Sequence, residues 1–471
     1  MNATPMINVR MLLKSSIAVS VAFALGACVS TESVDRTDEA RAAAKSSLPN
    51  TPSAWATVQQ NPGEVKVGWL DGFKDDVLTA LVEEAQANNL NLKLAASNID
   101  SARALSRQAA SALSPQVNLT AGSNRSGTRE ATGSSSQDIG LQAGWELDLW
   151  GRIRSGNQAA AQSVIAAEAD YKFAQYSIAA NVAQAYFAAI EASQQLDIAQ
   201  KSIDTLLETN RIVKVQYENG VGDKQNLALA EADLASAQDG LASSKGARRD
   251  AIRSLELLLG RYPEAELKVS QNLPALPAAA PAGLPSDLLE RRPDLIAAER
   301  RIAAAYNKVD QAKAARLPSV SLSGSIGGAS NSLGSLLDPG NVAWRAASSL
   351  LAPLFDGGLT KAQIDASTAD QQAAITSYTQ AALSAFGEVE TSLDQNVVLR
   401  QRVRALTDTL NSAEEALRIA NIQFKEGEIA LIDVLSIQQR VFSARRNLIS
   451  IKRAMLSQHV NLNLALGGSW K

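Results

Sequence analysis

Between Asn157 and Asn219 the sequence contains neither glycine nor proline, and between Leu359 and Glu426 it contains only Gly387. Globular helices average about three turns, so two break-free runs of this length argue against a compact single-core domain and predict two very long helices. In the first run Ile178, Val182, Ala185, Ala189, Ala192, Leu196, Ala199, Ile203, Leu206, Val213 and Tyr217 keep spacings that alternate between four and three, interrupted only at Asn210. The second run carries Ala385, Val389, Leu399, Val403, Leu406, Leu410, Ala413, Leu417, Ala420 and Phe424 in the same register, with Ser392 and Asn396 as polar exceptions. This is the seam of a left-handed coiled coil, and its many alanines let backbones approach closely. At 1.5 Å per residue each run spans on the order of 90 to 100 Å, the length of a tunnel wall.

The two runs belong to a duplicated unit. Leu92, Ala95, Ile99, Ala102, Pro115 and Val117 recur 203 positions later as Leu295, Ala298, Ile302, Ala305, Pro318 and Val320. Beyond them the offset becomes 207, linking Leu147, Gly151, Tyr171, Val182, Tyr217, Gly220 and Gly260 to Leu354, Gly358, Tyr378, Val389, Phe424, Gly427 and Gly467. In each copy the long helix stops at Gly220 or Gly427, and the apolar spacing resumes after the turn, from Leu227 to Leu241 and from Val434 to Met455, so each copy ends in a helical hairpin. A shorter helix precedes the strand region of each copy, about Asp76 to Leu113 and Ser286 to Leu317, and stops before Pro115 or Pro318. The expected organisation is a first repeat over 76–262 (strand hairpin 116–149, helical hairpin 153–259), a Pro-rich linker over 263–285, and a second repeat over 286–471 (strand hairpin 319–355, helical hairpin 359–467).

The strand regions follow period two. Val117, Leu119 and Ala121 alternate with Asn118, Thr120 and Gly122, and Ile139, Leu141, Ala143, Trp145 and Leu147 alternate with small or polar residues. Val320, Leu322 and Ile326 alternate with serines in the second copy, followed by a more weakly patterned strand near Val342 to Leu354. Such strands suit either an outer-membrane barrel or a sheet packed on a core. In a membrane, four strands are too few to close a barrel and open edges are not tolerated, so several chains must share one. Two chains give a narrow filled barrel and three give twelve strands with a lumen, so the expectation is a trimer.

Composition bounds the chemistry. The chain has one histidine, His459, and one cysteine, Cys28, which supply neither a zinc site nor a nucleophile-base set, so no catalysis, metal or cofactor is expected. Its 45 Lys+Arg balance 48 Asp+Glu, which leaves no electrostatic footprint for nucleic acid. At the N-terminus Arg10 and Lys14 precede the apolar run Ile17 to Leu25, which ends in Leu25-Gly26-Ala27-Cys28. This resembles a bacterial lipoprotein signal over residues 1–27, with Cys28 lipidated and 28–75 an extended, lipid-anchored segment. By the same resemblance Val29 after the cysteine favours sorting to the outer membrane.

The stretch Trp145-Glu146-Leu147-Asp148-Leu149-Trp150-Gly151-Arg152 is similar to the signature of TolC-like outer membrane factors, specifically the lipoprotein branch serving resistance-nodulation-division efflux systems. Further similar motifs are Arg291-Arg292-Pro293-Asp294, Pro353-Leu354-Phe355-Asp356-Gly357-Gly358, Ala385-Phe386-Gly387-Glu388-Val389-Glu390 and Leu466-Gly467-Gly468-Ser469-Trp470. The resemblance implies a mainly α fold with a transmembrane β part: a trimeric α/β barrel, with a twelve-strand outer-membrane β-barrel continued by a twelve-helix coiled-coil tunnel into the periplasm. It implies a homotrimer, a periplasmic adaptor, an inner-membrane resistance-nodulation-division pump and outer-membrane lipids as partners, and export of small molecules as the function. A type I protein-secretion duct and a non-conducting structural envelope lipoprotein are the alternatives. Family members close the tunnel with acidic residues on the inner hairpin of the second copy, which corresponds to Asp433, with Ser436 where a second acidic residue is frequent. Asp433 has a plainer reading as a solvated carboxylate at a helix start. The tips, Gly220, Val221, Gly222 and Asp223 in one copy and Gly427, Glu428 and Ile429 in the other, would meet the adaptor, although both glycines are also required simply as helix ends.

Overall fold

The computed structural model describes residues 35–49, 52–57, 65, 68–127 and 133–471. The signal segment 1–27, Cys28 and the loop positions 128–132 lie outside the described residues. In chain order the helices are α1 (Thr37–Ser47), α2 (Asp76–Asn88), α3 (Leu90–Ser111), α4 (Arg152–Glu218), α5 (Lys224–Leu258), α6 (Pro285–Arg291), α7 (Pro293–Ala314), α8 (Leu359–Lys425) and α9 (Leu431–Ala465). The strands are β1 (Gln116–Ser126), β2 (Ser134–Leu147), β3 (Ser319–Ser330) and β4 (Val342–Leu351). The long helices match across the duplication, 67 residues each for α4 and α8 and 35 each for α5 and α9.

Two compact units result, and each takes half of both copies. One comprises the described chain up to Ser47, Ile99–Ala167 and Ala298–Thr379; the other comprises Leu48–Asn98, Glu168–Ala297 and Gln380–Lys471. The first unit holds an antiparallel sheet in the order β1-β2-β3-β4. The two hairpins expected from the sequence lie edge to edge: β2 pairs with β3 from Gln137↔Ser330 to Leu147↔Val320, so the copies share one ladder. The second hairpin ends at Leu351, short of 355, because Pro353 lacks the N–H a ladder needs.

The N-terminal segment expected to be extended instead contains α1 in this unit. Its residues favour a helix: four alanines, Asp38 and Glu39 at the positive end, Lys45 at the negative end. Ala40 and Ala44 are buried, Arg36 Nε donates to Asp310 at 2.7 Å, and the Thr37 hydroxyl accepts from Gln162 and Arg300.

In the second unit Trp69, Phe73, Leu78, Tyr186, Ile252 and Leu259 belong to one core, with Ile178, Val182 and Ala189 of the seam in it. Nearer the helical turns Leu206, Val213, Ala230, Leu431 and Leu435 form a smaller cluster, which packs the two helical hairpins together. Each short helix expected before a strand region is interrupted, at Asn89 between α2 and α3 and at Arg292 between α6 and α7. These two positions are 203 apart, so the interruption is itself duplicated. Asn89 accepts from the N–H groups of Asn91 and Leu92 and donates to Leu258 O at 2.7 Å, restarting the helix by capping it. Arg292 is extended, at ψ 120°, because Pro293 clashes with a helical predecessor.

Candidate functional site

The sheet presents two chemically different faces. Directly paired residues share a face, so register assigns Val117, Leu119, Leu141, Trp145, Ile326, Trp344 and Leu350 to one side. The other side carries Asn118, Gln142, Ser321, Ser323, Ser325 and Arg345. Leu119, Leu141, Trp145, Ile326, Trp344 and Leu350 are exposed within the single chain, Trp344 to 78% and Leu350 to 69%. A contiguous apolar face of this kind marks a surface meant for lipid or another apolar partner. Among the described residues no helix is long and apolar enough to cross a membrane.

The Trp-Glu-Leu-Asp-Leu-Trp-Gly-Arg stretch builds the turn from β2 into α4. Glu146 accepts a forked pair from Arg152, at 2.8 and 2.9 Å from one guanidinium nitrogen. Asp148 accepts from the backbone N–H groups of Ile153 (3.0 Å) and Arg154 (2.9 Å), which neutralises two otherwise unpaired donors at the start of α4. Trp150 Nε1 donates to Pro318 O at 2.7 Å, and Trp145 Nε1 donates to Leu113 O at 3.0 Å. In the second copy Asp356 does the capping, accepting from the hydroxyl and N–H of Thr360 and the N–H of Gly358; these hydrogen bonds hold its carboxyl below the usual carboxylate range. Leu354 and Phe355 are 96% and 93% exposed.

The helical turns are exposed and built differently in the two copies. Gly220 and Gly427 adopt φ of +75° and +77°, the left-handed conformation that lets the next N–H turn back, as Val221 N does to Gln216 O and Glu428 N to Gln423 O. Val221, Asp223 and Glu428 are exposed, while Gly222 and Ile429 are half-buried. In the first turn Asp223 caps α5 by accepting from Asn226 N at 2.8 Å. The equivalent positions, 207 later, are Ala430 and Asp433, so the cap residue has lost its side-chain oxygen. Asp433 compensates from within the helix, accepting from Ala430 N at 3.2 Å, and Ser436 donates its hydroxyl to Asp433 O at 2.8 Å. Asp433 and Ser436 thus stand together on one exposed face of α9, next to a turn.

Arg292 organises the other end of this unit. Its side chain is 5% exposed; it holds Asp294 through two nitrogens (2.8 and 3.1 Å), Glu388 at 2.5 Å and Ala465 O at 3.3 Å, and lies 5.7 Å from the Phe173 ring centre. Burial opposes its charge, and the two carboxylates more than offset that, so it remains a guanidinium. Arg292 is a buried clamp between α6, α7, α8 and α9. Gly467 rests on it, since a Cβ there would lie 3.2 Å from Arg292 Cγ. His459 is a packing residue, buried with its ring edge-on to Phe73 at 5.6 Å; burial, and secondarily Arg400, lowers its pKa to about 4. Among the described residues no cluster of His, Cys, Asp and Glu could hold a metal ion.

The family model for outer membrane efflux proteins matches residues 81–261 and 284–468, on either side of the Pro-rich stretch. The chain belongs to the outer membrane efflux protein family. It is 30% identical over 409 residues to the cation efflux system protein CusC of Escherichia coli O6:H1, covering 86% of this chain and 88% of that one. It is 30% identical to the probable efflux pump outer membrane protein TtgC of Pseudomonas putida, covering 97% and 96%. Among solved structures, the open state of the Neisseria gonorrhoeae MtrE outer membrane channel superposes with a TM-score of 0.78 at 31% identity, covering 90% of this chain and 97% of that one. A CusC crystal structure superposes with a TM-score of 0.80 at 28% identity, covering 90% and 98%.

The chain is therefore an outer-membrane efflux channel with the fold of the trimeric outer-membrane factors, as the motifs implied. Within that fold the apolar sheet face is the lipid-facing one and the polar face lines the lumen. The structure brings Asp433 and Ser436 together and places the tip residues at two turns; Cys28 lies outside the described residues. Reading the sequence missed Arg292 as a clamp and Asp148 as a cap. Asp148 had a signal, a carboxylate just ahead of a long helix.

Proposed function

We propose that three copies of this chain close one twelve-strand barrel, that Cys28 carries a lipid anchoring each chain to the outer membrane, and that the long helices form a periplasmic tunnel of twelve. The observation that carries this reading is the four-stranded sheet with an apolar face and, among the described residues, no partner for the outer edges of β1 and β4. Unpaired backbone groups are not tolerated in hydrocarbon, and pairing β4 of one copy with β1 of the next satisfies both edges and keeps the antiparallel order. The tips at Gly220 to Asp223 and Gly427 to Ile429 meet a periplasmic adaptor, which links the duct to an inner-membrane resistance-nodulation-division pump. Asp433, repeated around the axis, narrows the resting aperture and favours cations there, beside Ser436.

The cargo is small toxic compounds, for which the relatives named for cation and toluene efflux set the range. The deciding experiment is planar-bilayer recording of the purified full-length protein and of Asp433→Ala. The reading expects discrete channel currents, larger in the variant. Absence of current in both refutes it and leaves a non-conducting envelope lipoprotein.

A further inference from the structure

Arg345 is the one cation that the described residues place on the polar face of the sheet. It sits on β4, paired with Ser325 and in line with Gln142 and Asn118 across the sheet. Its neighbours on that face are Ser323, Gly327, Ala343 and Ala347, none long enough to cover it. It is exposed, and among the described residues neither an ion pair nor a side-chain hydrogen bond engages its guanidinium. Among the described residues, three carboxylates lie on this face of β2 or just past its end. Glu146 lies four residues from Gln142 along β2 and is already held by Arg152. Asp138 lies four residues the other way, about 16 Å from Arg345 by strand geometry and beyond a Debye length of about 10 Å. Asp148 lies past the end of β2 and is bound to Arg154. The β1 strand of a neighbouring copy adds none, since it offers only Gln116, Asn118, Thr120, Gly122, Asn124 and Ser126 to this face.

A long unpaired cation on a transmembrane strand is stable only where it meets water, which on this face is the lumen. We propose that Arg345, contributed once by each of three chains, forms a cationic ring within the barrel lumen and sets the preference of the exit segment for anionic over cationic solutes. This rests on the three-chain barrel. The ring is separate in place and sign from the aperture at Asp433. Three unit charges on the order of 8 Å from the axis, screened at about 0.1 M salt, enrich a monovalent anion on the axis roughly threefold and deplete a cation by a similar factor.

The test is the reversal potential of the full-length protein in planar bilayers under a potassium chloride gradient, in the wild-type and Asp433→Ala backgrounds. Arg345→Gln is expected to lower the chloride-to-potassium permeability ratio several-fold, up to about tenfold, and Arg345→Glu to lower it further; Asp138→Asn moves it the opposite way. Arg345→Cys supplies a second reading: sulfonatoethyl methanethiosulfonate added to the aqueous phase shifts the ratio toward cations, whereas Ala346→Cys on the opposite face is unaffected. Currents with an unchanged ratio in both Arg345→Gln and Arg345→Glu overturn this proposal alone. No current in any background overturns the channel reading and this proposal with it.

Discussion

Replacing Arg292 by methionine keeps an apolar stem and removes the guanidinium, whose central carbon lies 5.7 Å from the Phe173 ring centre. In the wild type that group satisfies Asp294, Glu388 and the carbonyl of Ala465. Breaking a buried pair by removing one partner costs about 3 to 5 kcal/mol, because the remaining charges are left uncompensated. Asp294 and Glu388 are 26% and 54% exposed and regain part of their hydration, which places the cost at the low end, about 3 kcal/mol. The cost falls locally, on the docking of the end of α9 against α6 and α7, and about 3 kcal/mol corresponds to a factor of roughly 150 in the opening equilibrium. Hydrogen exchange on the detergent-purified protein reads this as accelerated exchange of amides over Leu462–Gly468. Glu388→Gln, which touches the exposed partner, is expected to change the same amides by less than about fivefold. Protection within threefold of wild type in Arg292→Met would refute the clamp, because the buried guanidinium would then contribute no net stability.

Cys28→Ser is expected to abolish lipid attachment, read by intact mass; a diacylglyceryl adduct on the variant sinks the anchor assignment. Gly427→Pro cannot adopt the +77° φ of the turn and is expected to impair export, so unchanged resistance to efflux substrates in a strain carrying only that variant counts against the tip model. His459, with a folded pKa of about 4 against an ordinary value of 6.5, is neutral in the native state, so its contribution is complete above about pH 6.5 and is lost as pH falls toward 4. The slope reaches at most about 1.4 kcal/mol per pH unit in that window. His459→Leu should flatten the acid dependence of thermal unfolding there, and an identical pH profile in the two proteins would contradict the burial argument.

The parts of the fold visible in the sequence are those set by local periodicity. The seam from Ile178 to Val213, the alternation in β1, β2 and β3, and the glycines ending α4 and α8 depend on residues near one another in the chain, and the structure keeps them nearly where the spacing puts them. The helix α1 was missed because it lies in a segment read as an anchor tether, although its alanines and end charges are favourable. The interruption at Asn89 was missed because the side chain that replaces the lost helical bonds reaches to Leu258, which no local pattern reveals. Asp433 could be read from sequence as a gate residue or as a solvated carboxylate; its link to Ala430 N shows that it also restarts a helix whose cap position holds alanine.

The sequence alone determined the duplication, the element types and the apolar and polar faces, because side-chain spacing and turn residues act over a few positions. Only the tertiary structure decided that β2 of the first copy pairs with β3 of the second, that each compact unit takes half of both copies, and that Arg292 sits buried between two carboxylates. Those outcomes depend on backbone hydrogen bonds and a buried guanidinium finding partners from 96 to nearly 200 residues away, where the chain's own periodicity carries no information about which partner arrives.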